Sequence, residues 1–125
     1  MTHRILVVSS DSSARNDALG ILNRAGFLAT GAASFEEASR ALSDATPDLL
    51  IADERLGAFN GLHLVVRGRA VSPRMRAIVT SNITDSVLEK DARHLNAVCV
   101  VKPSDPMEWL SPVSKTLGTP ILLSA

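Results

Sequence analysis

The sequence predicts an α/β fold: a doubly wound, five-stranded parallel sheet with helices on both faces. Three observations predict it. Short runs such as Ile5-Leu6-Val7-Val8 and Leu49-Leu50-Ile51-Ala52 are apolar throughout, the pattern of strands covered on both sides. Between the runs lie stretches whose apolar residues recur at helical spacing. The two patterns alternate five times in 125 residues, and strands that alternate with helices pair in parallel through right-handed crossovers.

Residues 5–8 form the first strand, which stops at Ser9-Ser10-Asp11. From Ser13 a helix follows, with Ala14, Ala18, Leu19, Leu22 and Ala25 inward and Gly26 as its stop. Residues 27–33 read as a weaker strand of small side chains. Ser34 is an N-cap, with Glu37 three residues on as its capping-box partner. Ala38, Ala41, Leu42 and Ala45 face inward from that helix, and Pro47 closes it. Residues 49–52 form the third strand, ending in Asp53-Glu54, and Gly57 and Asn60-Gly61 mark a loop. Residues 62–71 form a helix with Leu62, Val65 and Val66 inward. A strand over 77–79 ends in Thr80-Ser81, a helix spans 85–95, and a strand over 98–101 ends in Lys102-Pro103. Asp105-Pro106 opens the last helix, which Pro112 should kink or end early. Residues 1–118 make one domain. Residues 119–125 are a tail whose Ile121, Leu122 and Leu123 suit docking or a partner contact.

Composition narrows the function. A hydrophobic content of 46% is enough for one core, and 13 basic against 13 acidic residues give no global attraction to nucleic acid or anionic lipid. Aromatics are 3%, with one Trp and no Tyr, too few for a stacking platform for bases or a flavin. The single Cys suits a reducing compartment. There is no signal-peptide pattern and no apolar run near the roughly 20 residues that cross a bilayer. The expectation is a cytoplasmic domain with neither membrane nor nucleic acid as partner. Arg67, Arg69, Arg74 and Arg76 read as a solvated helix end, and Asp85 and Asp91 as solvated. Trp109 reads as core, and His3, His63 and His94 lack metal-site spacing.

Ligands of such sheets bind at the C-terminal strand ends. Those ends carry Ser9, Ser10 and Asp11; Asp53 and Glu54; Thr80 and Ser81; and Lys102. A carboxylate that can act as nucleophile, beside a hydroxyl and an ammonium that can donate to phosphoryl oxygens, suits phosphoryl chemistry. Ser9, Ser10, Ser12 and Ser13 at a helix start also allow an anion cradle. That alternative is a flavodoxin-like binder of a phosphate-bearing ligand, in a loop that lacks a glycine for close backbone approach.

Residues 5–117 resemble the receiver domain of bacterial two-component response regulators. The resemblance rests on Pro47-Asp48-Leu49-Leu50-Ile51-Ala52-Asp53, Leu56, Gly61-Leu62, Thr80 and Lys102-Pro103. It implies a flavodoxin-like, receiver-type sheet with Asp53 as phosphoacceptor and Thr80 and Lys102 on the phosphoryl group. It also implies a magnesium ion held by Asp53 and the Arg55 backbone carbonyl. By the same resemblance the chain is a single-domain response regulator of a phosphorelay. Its partners are a histidine kinase or phosphotransfer protein, a downstream protein, and a second copy in a homodimer. It is no enzyme beyond self-catalysed phosphotransfer and dephosphorylation.

Three departures qualify this. Ser9 and Ser10 stand where the family carries two acids, Cys99 stands at the switch aromatic, and Gly57 replaces a loop proline, loosening the loop. Magnesium prefers near-octahedral oxygen ligands including one or two carboxylates, and two serines bring no charge. Asp11 is a further candidate ligand for the metal, but it is one residue late on the strand and reads equally as the N-cap of the first helix. The expectation is weak magnesium binding, with Lys102 holding Asp53 and Arg55 either over the pocket mouth or solvated. Cys99 is too small to gate a cavity and reads as an inert, half-buried strand residue. A phosphorylation-independent pseudo-receiver is the alternative function.

Overall fold

Five short strands form the sheet, and the three central ones are buried on both sides because their residues alternate between two cores. In the computed structural model, which describes residues 2–120, the five are β1 (Arg4–Val8), β2 (Leu28–Ala32), β3 (Leu49–Asp53), β6 (Arg76–Ser81) and β7 (Val98–Val101). All neighbours are parallel, in the order β2-β1-β3-β6-β7. The order reverses at β1, so β1 and β3 flank the switch point where such sheets bind ligands. Leu6, Val8, Leu50, Ala52, Ala77 and Val79 face one core. It is closed by α2 (Phe35–Asp44), α3 (Leu62–Val71) and α4 (Ser86–His94). Ile5, Val7, Leu49, Ile51 and Ile78 face the other core, under α1 (Ser12–Arg24) and α5 (Leu110–Leu117). Leu49, Leu50, Ile78 and Val79 are completely buried, each side chain contributing roughly 1.5–3 kcal/mol of hydrophobic stabilisation. No helix of the described residues is long and apolar enough to cross a membrane.

The helix starts follow their local chemistry. Ser34 Oγ accepts from the Glu37 N–H at 3.1 Å, while Glu37 Oε2 accepts from the Ala33 N–H at 2.9 Å. The capping box forms, closing one residue earlier than the standard pattern. Asp85, expected to be solvated, caps α4 by accepting from the N–H groups of Val87 and Leu88 at 3.0 and 3.1 Å.

Five further expectations are corrected. The loop after Asp53 is a hairpin, with β4 (Arg55–Leu56) paired to β5 (Phe59–Asn60). Gly57, at φ 64°, makes its two-residue turn rather than loosening it. The Phe59 ring stacks on Phe35 with centroids 4.4 Å apart, and the Arg67 guanidinium lies 5.5 Å from the Phe35 centroid, so the hairpin is tied to α2 and α3. Val66 points outward and Leu64 inward, on the face that also buries Leu62, Val65 and Gly68. Arg69 and Arg76 are structural. Arg69 donates to the carbonyls of Met75 and Asn96 at 3.1 and 2.9 Å, and Arg76 to that of Thr116 at 2.8 Å. Pro112 falls in the first turn of α5, directly after a 3-10 turn over Pro106–Trp109, where its missing N–H costs little. The helix therefore runs on to Gly118, whose left-handed φ of 66° closes it. Ile121, Leu122 and Leu123 lie outside the described residues.

Candidate functional site

The strand register assembles the site. Val8 lies opposite Ala52, Asp53 opposite Thr80, and Thr80 opposite Val100. Side chains alternate with period two. Ser9, Asp53, Thr80 and Lys102 therefore continue the same face as Val7, Ile51, Ile78 and Val100, on the α1 and α5 side. The ladder extends past the strand ends, with the Glu54 N–H on the Thr80 carbonyl at 2.7 Å and the Lys102 N–H on the Ser81 carbonyl at 2.8 Å.

Asp53 is the hub. Its Oδ1 accepts from Thr80 Oγ1 at 2.7 Å, and its Oδ2 accepts from Ser9 Oγ at 2.7 Å and Lys102 Nζ at 3.1 Å. The ion pair is partly shielded, with 18% of the Asp53 side chain and 22% of the Lys102 side chain exposed. Lys102 Nζ also donates to Ser9 Oγ at 3.3 Å, and the Asp11 N–H to the same oxygen at 3.2 Å. Ser9 is 2% exposed and Thr80 1%. One carboxylate thus joins the ends of β1, β3, β6 and β7. Two further contacts fix the surroundings. Arg15 donates to the Ser9 carbonyl at 2.7 Å, and Gly61 lies so close that an added Cβ would meet the Asp53 carbonyl oxygen at 2.2 Å.

Receivers are among the solved structures that superpose on this chain. A CheY-like response regulator receiver domain protein from Methanospirillum hungatei superposes with a TM-score of 0.85 at 21% identity, over 94% of this chain and 95% of that one. The chemotaxis protein CheY4 of Vibrio cholerae superposes with 0.84 at 22%, over 93% and 99%. NtrX from Brucella abortus does so with 0.84 at 23%, over 94% of this chain but 27% of that longer one. The chain has the receiver fold. No protein-family model and no curated relative matches its sequence.

Within the receiver fold, Asp53, Thr80 and Lys102 converge as the sequence predicts, whereas the two serines part company. Ser9 turns in to Asp53, while Ser10, on the opposite parity, is exposed. Asp11 caps α1, its Oδ1 accepting from the Ala14 N–H at 3.1 Å. That carboxylate supplies the negative charge at the helix N-terminus, so a phosphate cradle there would have to displace it. Arg55 is exposed on β4, at the rim of the cleft it shares with Asp53, Glu54 and Asp85.

Magnesium takes about six oxygen ligands at about 2.0–2.1 Å, several of them commonly water. Among the described residues no three carboxylate, imidazole or thiol groups converge to hold one. Both oxygens of Asp53 already accept hydrogen bonds. The residues present do not fit a magnesium site.

Cys99 lies opposite Val79 on β7, half-buried against the core under α4. Burial pushes its thiol pKa up, and the nearby Glu89, Glu54 and Asp85 carboxylates push it further in the same direction. The thiol therefore stays protonated at neutral pH, and the nucleophilic thiolate is scarce. Iodoacetamide at pH 8 is expected to label native Cys99 at least about tenfold more slowly than the urea-unfolded chain. Equal rates, followed by intact mass, would contradict this placement.

Proposed function

We propose that the chain is a single-domain receiver of a two-component phosphorelay, accepting a phosphoryl group on Asp53 and acting by binding a protein partner. The observation that carries this is the meeting of Thr80 Oγ1 and Lys102 Nζ on the one carboxylate at the sheet's switch point. In the reaction an Asp53 oxygen attacks phosphorus, the bond from phosphorus to the donor's nitrogen or acyl oxygen breaks, and the donor leaves with the electron pair. Lys102 and Thr80 donate to the oxygens of the transferred group, where the charge is spread in the transition state. Donors of suitable chemistry are a phosphohistidine on a kinase or phosphotransfer protein, in the cytoplasm. The exposed apolar side chains Ile83, Val87, Val98 and Val101 around α4 and β7 support contact with a downstream protein or a second copy through that face.

Incubation with a small acyl phosphate, read by intact mass, tests the assignment. One phosphoryl adduct is expected, absent from Asp53→Asn. No adduct, even with a phosphohistidine donor, leaves the second reading, a phosphorylation-independent interaction module. That reading is favoured by the full engagement of Asp53 with the chain's own donors and by the small Cys99 where a receiver carries its switch aromatic.

A further inference from the structure

We propose that the Lys102 ammonium is the site's resident cation, and that Ser9 is the residue that installs it in place of a divalent metal. The proposal deepens the receiver reading and rests on Asp53 as the reacting group.

The hydrogen bonds of Ser9 can be counted to completion. A serine hydroxyl has one proton and two lone pairs. The proton goes to Asp53 Oδ2 at 2.7 Å, one lone pair accepts from the Asp11 N–H at 3.2 Å, and the other faces Lys102 Nζ at 3.3 Å. The oxygen has no lone pair left for a metal, and at 2% exposure it cannot be reached without dismantling the triangle. The side of Asp53 Oδ2 is equally occupied, by Ser9 and Lys102. A divalent ion would have to expel an ammonium from its counter-charge, and residue 9, a serine, offers it no carboxylate in return.

The geometry also shows why residue 9 decides the matter. An acid there has no proton to give to Asp53 at neutral pH. Two carboxylates would then face each other where a hydrogen bond now lies, and like charges that close favour a cation between them. Lys102 supplies one positive charge, a divalent ion two. The hydroxyl removes the repulsion, so a single ammonium suffices. Arg15, donating to the Ser9 carbonyl at 2.7 Å, holds the backbone so that this hydroxyl points inward.

Magnesium and manganese titrations of the full chain test the proposal, followed by Trp109 emission and by the thermal midpoint. Trp109 lines the same cleft as Ser9, Asp53 and Lys102. The wild type is expected to show no saturable change in either signal through the millimolar range. Ser9→Asp, which adds a carboxylate, and Lys102→Gln, which removes the ammonium, are each expected to bind about tenfold or more tightly than the wild type. In both, the midpoint should rise with metal. Saturable millimolar binding to the wild type overturns the proposal, as does a flat response in both variants. If Ser9→Asp does not fold, Lys102→Gln decides. The phosphoryl adduct is measured separately in excess chelator. An adduct that forms only with magnesium overturns the resident-cation proposal. The lack of any adduct, with a flat wild-type titration and metal-binding variants, overturns the phosphoacceptor reading and leaves the cation assignment standing.

Discussion

Gly61→Ala is expected to destabilise the fold by about 3 kcal/mol, lowering the thermal midpoint by on the order of 10 °C. The reason is space, not backbone freedom, since the φ of −58° and ψ of −23° at Gly61 suit any residue. A Cβ there would stand 2.2 Å from the Asp53 carbonyl oxygen and 3.1 Å from its carbon. Neither side can yield easily. Asp53 is paired with Thr80 in the sheet, and the Gly61 N–H is fixed to the Glu54 carbonyl at 2.8 Å. Relief must come from moving the β4–β5 hairpin, which carries Phe59 away from Phe35, or from shifting Asp53 off its donors. Gly68→Ala is the control. Its Cβ would meet Met75 Sδ and Cε at 2.5 Å, the far end of a flexible side chain, and helix propensity favours Ala over Gly by up to about 1 kcal/mol. That variant should stay within about 1 kcal/mol of the wild type. Thermal melts followed by circular dichroism compare the two. Equal midpoints for Gly61→Ala and wild type would show that the hairpin does not press on the Asp53 backbone.

What could be read from sequence divides by the range of the interaction. Asp53, Thr80 and Lys102 were legible because each follows an apolar run, and in a parallel sheet such ends lie side by side. The Ser34–Glu37 box was legible because its partners are three residues apart. The hairpin was not, since two paired residues on each side are too few to show a period. Nor were the roles of Arg69 and Arg76, whose partners are backbone carbonyls as far as 27 and 40 residues away, and any residue provides such a carbonyl. Val66 was misplaced because the spacing of Leu62 and Val65 does not say to which side the inward line widens, and it widens to Leu64 and Gly68. Asp11 fitted two roles equally well, and the local N–H of Ala14 now holds one of its oxygens. For Ser9 the position was legible but the effect was not. The loss of an acid reads as a defect in the sequence and is a hydrogen bond in the structure.

That difference fixes the sign of one more result: Asp53→Ala is expected to destabilise the protein by about 3 kcal/mol. In a site where several carboxylates face one another, deleting one relieves repulsion and stabilises the fold. Here Asp53 is surrounded by donors. Its removal leaves the Ser9 and Thr80 hydroxyls, 2% and 1% exposed, without their acceptor and Lys102 without its counter-charge. Each orphaned buried donor costs about 1–3 kcal/mol. Because about a fifth of both charged side chains is exposed, water can follow the truncated side chain and satisfy part of the loss, which holds the total in the lower half of the roughly 2–6 kcal/mol that the two orphaned hydroxyls would sum to. Asp53→Asn keeps an acceptor oxygen but turns an amide NH2 toward other donors, so it should recover only part of the difference. Urea unfolding with an unchanged m value reads the effect as a lowered midpoint. A raised midpoint for Asp53→Ala would mean that the carboxylate is repelled where it stands, and would remove the basis for Lys102 as its resident counter-charge.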